Sequence, residues 1–183
     1  MRKLDKTLVL VGMMGAGKTS VGRRLANGLG VPFKDADAEI EQAAGCSITE
    51  IFERFGEPEF RAGERKVIAR LLAEPPHVLA TGGGAFIDPE TQARVKQHAV
   101  SIWLRARLDL LMERVLRKDN RPLLRNSDSR STLERLLHER EPIYAQADII
   151  VESDDGPHDA VVKRILAALD ARNKAVRSAE TKP

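Results

Sequence analysis

The sequence holds one cysteine, Cys46, in 183 residues. A single thiol cannot form an internal disulfide, and the scarcity fits a reducing compartment. Cys46 itself reads as a small residue at a helix end. No apolar stretch approaches the roughly 20 residues that a membrane-spanning helix needs. The opening Met1-Arg2-Lys3 faintly imitates a signal peptide, but the run from Leu8 to Met14 is short and leads straight into Lys18. The expectation is a soluble cytoplasmic protein with no membrane contact. An excess of one charge is also missing. Thirty Lys and Arg against 27 Asp and Glu leave a formal net charge of +3, mixed along the chain. That mixture points away from nucleic acid, while the slight basic excess suits small anionic ligands. Repeats, low-complexity blocks and interdomain linkers are absent too. With 42% hydrophobic residues, the chain is long enough for one domain with a full core. That domain is expected over residues 1–172, and the polar stretch 173–183 reads as a disordered tail.

What is present begins with Gly12-Met13-Met14-Gly15-Ala16-Gly17-Lys18-Thr19, which fits G-x-x-x-x-G-K-[ST]. Thr7 to Val11 before it is a buried strand by type, and Val21, Leu25 and Leu29 after it share one helical face. Strand, glycine loop and helix together make a phosphate cradle. The glycines let successive N–H groups turn inward, and the helix adds its positive end. Gly15, Ala16, Gly17, Lys18, Thr19 and Ser20 are the expected nucleotide contacts. Lys18 is expected at the β- and γ-phosphates and the Thr19 hydroxyl on Mg²⁺.

Further along, Val31 to Lys34 reads as a strand leading into Asp35-Ala36-Asp37. Either carboxylate can overhang the phosphate site, and either can cap the next helix. Ser47-Ile48-Thr49-Glu50 is a capping box opening a short helix that ends at Gly56. A second helix is expected from Pro58 to Ala73. Arg61 and Glu64 continue its apolar face inward, either as a structural salt bridge or as an anion grip. His77 to Thr81 is a strand with Gly82-Gly83-Gly84 at its C-terminal end, where open α/β sheets bind ligands. Asp88-Pro89 opens another helix. Val100 to Leu104 is a strand whose Trp103 reads as packing, and Leu108 to Leu116 is an apolar helical stripe. Arg117 to Arg130 is polar and aperiodic, a loop able to close over a γ-phosphate. Ser131 to Glu134 reads as a second capping box, with Arg140 next on the Leu133 face. Asp148 to Val151 is the last strand, and the last helix is expected from Asp155-Gly156-Pro157 to about Ala171.

Five strands alternating with helices make an α/β protein with a parallel sheet flanked by helices. A P-loop holds ATP-Mg²⁺, Asp37 can orient or deprotonate an acceptor hydroxyl, and Arg61 and Arg140 can grip a carboxylate bidentately. The residues therefore describe a kinase for a small, anionic, hydroxylated metabolite. A gluconate-type kinase and a catalytically idle nucleotide-binding protein are the rival readings. The first has no need of two inward arginines; an intact Lys18, Asp37 and Arg121 weigh against the second.

At these positions the chain resembles the shikimate kinase family. The matching residues are Gly12 to Thr19, Asp35-Ala36-Asp37, Phe60-Arg61 with Glu64, Thr81 to Gly84, Arg121-Pro122-Leu123-Leu124, and Glu139-Arg140-Glu141-Pro142-Ile143-Tyr144. The likeness spans about residues 7 to 170. It implies a nucleoside monophosphate kinase-like fold with a substrate-binding subdomain at about 37–73 and a lid at about 117–130. It implies a monomeric enzyme that phosphorylates the shikimate 3-hydroxyl with ATP, on the route to aromatic amino acids. Thr19 would hold Mg²⁺, with Asp35 helping through water. Asp37, Arg61, Gly83 and Arg140 would hold shikimate, and Arg121 would serve ATP. Asp154-Asp155-Gly156-Pro157 departs from the family's usual long polar side chain near adenine, so Arg114 or Arg117 is left as the candidate to stack on the base.

Overall fold

The structure, a computed structural model, describes residues 4–117 and 129–180. Its centre is strand β1 (Thr7–Val11), five consecutive buried residues of which four are apolar. Such a run has no polar face, as expected of a strand covered by helices on both sides. Around it lie β2 (Phe33–Asp35), β3 (Val78–Ala80), β4 (Ala99–Arg105) and β5 (Ile149–Glu152), all parallel, in the order β2-β3-β1-β4-β5. The chain leaves β1 toward β2 and β3 on one side, then crosses to β4 and β5 on the other. The sheet therefore reverses its order at β1, and ligand crevices form at the carboxyl ends of strands at such a reversal.

Among the described residues, the strands are connected and flanked by α1 (Lys18–Leu29), α2 (Ala36–Ala44), α3 (Ile48–Leu72), α4 (Pro89–His98), α5 (Leu108–Leu116), α6 (Ser129–Tyr144) and α7 (His158–Glu180). The five-stranded parallel sheet with flanking helices is the expected architecture. Local signals set several ends. Ser47 and Glu50 exchange both bonds of a capping box, and Asp88 caps α4 through Thr91 N–H at 2.8 Å.

Gly56, at φ 81° and ψ 173°, is not helical, so α3 consists of two helices that break there, as the sequence reads. Two boundaries differ from the sequence reading. Ser131 lies inside α6 instead of capping it, since the helix already runs from Ser129. The tail expected from 173 continues α7 as helix to Glu180. Nothing between Ala171 and Glu180 is Gly or Pro, so no residue there breaks the helical backbone.

Candidate active site

The nucleotide side of the site grows from the end of β1. Gly12 adopts φ +135°, and a Cβ there would lie 2.7 Å from the Leu104 carbonyl oxygen. Only glycine satisfies both demands. The loop then turns so that Lys18, the first residue of α1, folds back beneath it. Its Nζ donates to Gly12 O at 2.7 Å and Met13 O at 2.9 Å, with only 8% of the residue exposed. The Thr19 hydroxyl donates to Asp35 Oδ2 at 2.8 Å. Asp35 Oδ1 accepts the Asp37 N–H at 3.1 Å, so one carboxylate both caps α2 and faces the loop. The two readings of Asp35 are not exclusive. The Ala16 N–H turns to Met13 O at 3.2 Å, within the loop.

The acceptor side grows from the end of β3. Thr81 is tied to β1 through Leu10 O, which accepts its N–H at 3.2 Å and its hydroxyl at 3.0 Å. This sets Gly82-Gly83-Gly84 beside the P-loop. Gly82 leaves room that side chains use: a Cβ there would sit 2.9 Å from Asp37 Oδ1 and 3.0 Å from Glu64 Oε1. The Arg61 guanidinium lies against Gly84, and Arg140 donates to Gly83 O at 3.2 Å. Two arginines from separate helices thus meet consecutive residues of one glycine segment.

Glu64 holds Arg61. Its Oε2 accepts from Arg61 Nη1 at 2.7 Å, while Oε1 is buried without a hydrogen-bond partner among the described residues. Burial pushes the Glu64 carboxyl above its ordinary range, against the pull of Arg61 and with Asp37 and Asp88 adding to the rise. Burial acts to lower the Arg61 value, but Glu64 and Glu57 together outweigh it and raise it. The sequence left this pair open between salt bridge and anion grip; the salt bridge is present, and it presents Arg61 to the glycine segment.

Gly15, Gly17, Lys18, Thr19, Ser20, Asp35, Asp37 and Gly83 line one cleft of about 390 Å³ at the strand ends. Arg61 and Arg140 do not line it, but contact Gly84 and Gly83. Arg121, and with it the lid over 117–130 from Lys118 to Asp128, lies outside the described residues. Arg114, Arg117 and His158 line the same cleft, the last with its pKa lowered by burial and by the charges of Arg24 and Arg114.

Three residues here had no assigned task in the sequence, or a different one. Tyr144 is fully buried, donates its hydroxyl to Gly83 O and packs on Trp103 with ring centres 5.9 Å apart. Burial raises its pKa to about 12, partly offset by Arg140. Arg114, a candidate for base stacking, bonds Gly15 O, Ser153 Oγ and Asp154 O. Ser153 donates to Ala16 O at 2.9 Å. Polar residues bordering the ends of apolar runs were the only hints.

Comparison with known proteins places these features. The family model described as shikimate kinase matches residues 14–170. A shikimate kinase of Caulobacter vibrioides is 62% identical over 164 residues, 90% of this chain and 82% of that protein. The structure of a shikimate kinase from Acinetobacter baumannii in complex with shikimate superposes with a TM-score of 0.89 at 38% identity, covering 91% of this chain and 94% of that one. A gluconokinase from Sinorhizobium meliloti shares the fold at a TM-score of 0.67 and 20% identity, covering 99% and 100% of the two chains. With the family match over most of its length and the ordered P-loop, Asp37, glycine-segment and arginine set in place, the chain belongs to the shikimate kinase family.

Proposed function

We infer that this chain transfers the γ-phosphoryl group of ATP to the 3-hydroxyl of shikimate, giving shikimate 3-phosphate and ADP. The observation that carries the choice of acceptor is the meeting of Arg61 and Arg140 at Gly84 and Gly83, next to Asp37. Two guanidiniums converging from α3 and α6 suit a carboxylate, and Asp37, which lines the cleft with the P-loop, suits a hydroxyl.

Each residue has a distinct task. Lys18, with the N–H groups at the start of α1, offers positive charge to the transferring phosphoryl group, where charge is spread over three oxygens. Asp37 accepts the hydroxyl proton as the oxygen attacks. Arg61 and Arg140 fix the ring, so that the reacting oxygen meets phosphorus in line. Tyr144 anchors Gly83 from behind. Arg121 is assigned to ATP on the family resemblance. The Thr19 hydroxyl and Asp35 carboxylate are hard oxygen donors 2.8 Å apart in the cleft, a set that fits Mg²⁺, Thr19 directly and Asp35 through water. Mg²⁺ bound with ATP supplies neutralisation of the phosphate charge.

We further place the enzyme in the cytoplasm as a monomer. The single cysteine supports a reducing compartment, and both halves of the cleft come from one chain. Among the described residues no helix is long and apolar enough to cross a membrane. The test of function is ADP release by purified protein with ATP-Mg²⁺ and shikimate, gluconate or no acceptor. Turnover is expected with shikimate alone; turnover with gluconate alone would overturn the reading of the arginines.

A further inference from the structure

We propose that Ser153 is a positioning residue for phosphoryl transfer, fixing the P-loop peptide that presents the Gly17 N–H to the nucleotide's phosphates. Ser153 follows the last strand, β5, and is 4% exposed. Its own N–H donates to Arg105 O at 2.7 Å, which seats it on the end of β4. From that seat its hydroxyl donates to Ala16 O at 2.9 Å and accepts from Arg114 Nη1 at 3.1 Å. Arg114 Nη1 also donates to Gly15 O at 3.3 Å, and Nη2 to Asp154 O at 2.7 Å. Two successive P-loop carbonyls are therefore held from outside the loop.

A trans peptide is planar, with its C=O and N–H pointing in opposite directions. Tying Ala16 O toward Ser153 therefore turns the Gly17 N–H the other way. Gly17 lines the cleft and, with φ 92°, stands at the N-cap of α1. Its amide thus joins the positive end of that helix. Ser153 does not line the cleft, and acts only through the loop. Its hydroxyl is used as donor and as acceptor at once, which a residue of the same shape without a hydroxyl cannot reproduce.

The test compares Ser153→Val with Ser153→Thr, two side chains of equal shape that differ in the hydroxyl, so packing strain is common to both. In calorimetric titrations, Ser153→Val should bind ADP about tenfold more weakly than wild type, the scale of one lost hydrogen bond. Ser153→Thr should lie within about twofold of wild type, and shikimate binding without nucleotide should be unchanged in both. The proposal is overturned if the two variants bind ADP equally, or if Ser153→Val loses only melting temperature. The proposal rests on the kinase reading only for its use of the nucleotide. ADP titration needs no acceptor, so failure of the shikimate assignment would show as absent wild-type turnover with the ADP series intact.

Discussion

Glu64→Gln preserves shape and removes the charge that holds Arg61. Arg61 has two acidic anchors. Glu57 reaches Nη2 at 3.2 Å with a side chain 57% exposed; Glu64 reaches Nη1 at 2.7 Å with a side chain 3% exposed. A largely exposed pair contributes about 0–1 kcal/mol. A hydrogen bond to a charged, buried partner contributes roughly 1.5–3 kcal/mol. Glu64 therefore dominates. Releasing Arg61 should raise the shikimate KM about 10- to 150-fold, since each ~1.4 kcal/mol is tenfold, and leave the ATP KM within about twofold. The same carboxyl sets a pH signature. Its folded-state pKa is raised by burial above the ordinary 4.5, so its contribution to stability is full below that value. The contribution is lost as pH rises through the folded-state pKa. Urea unfolding across that window should therefore show wild type losing stability relative to Glu64→Gln as pH rises. Coupled ADP-release kinetics at saturating ATP reads the KM. An unchanged shikimate KM beside a changed unfolding midpoint would refute the claim that Glu64 presents Arg61, leaving it a structural ion pair.

Arg140→Ala should weaken shikimate binding by about 2–5 kcal/mol, as for a charged partner lost from a desolvated pair, with ATP titrations unchanged; equal losses for both ligands would move Arg140 to the nucleotide side. Gly12→Ala puts a Cβ 2.7 Å from Leu104 O at φ +135°, a strain of about 1–3 kcal/mol that should lower the urea midpoint and raise the ATP KM together. Tyr144, with its pKa pushed by burial from 10.0 to about 12, contributes stability that is full below pH 10 and lost as pH rises through about 12. Wild type should thus fall relative to Tyr144→Phe by up to ~1.4 kcal/mol per pH unit in that window, and parallel pH–stability curves would contradict the burial argument.

Elements whose cause is local were legible in the sequence. The glycine loop, the Ser47 capping box and the Asp88 cap each depend on residues a few positions apart, and all three form as read. The inward pair Arg61 and Glu64 was visible because i, i+3 spacing fixes a helical face. Long-range partners were not. Tyr144 reaches Gly83 across 61 positions, Arg114 reaches Ser153 across 39, and Ser153 reaches Ala16 across 137. No periodicity encodes such contacts; they follow from the sheet order, which brings the end of β5 beside β4 and the P-loop. The start of α6 was misread because a Ser-x-x-Glu pattern also fits inside a running helix, as Ser131 and Glu134 do here. The polar stretch after Ala171 was misread because polarity marks exposure, and an exposed run of helix formers still extends a helix.

In the proposed reaction Asp37, which lines the cleft with the P-loop and lies against Gly82, takes the proton of the acceptor hydroxyl. Asp37→Asn keeps the side chain's shape and a hydrogen-bond acceptor, and removes the charge that can receive that proton. The most direct measurement is the single-turnover rate of this variant with ATP-Mg²⁺ and saturating shikimate, read beside its shikimate Kd. The expected rate is lower by at least roughly 10²-fold, the lower range for a positioned general base, with the Kd within a few-fold of wild type. A near-wild-type rate, or a loss confined to the Kd, would contradict it.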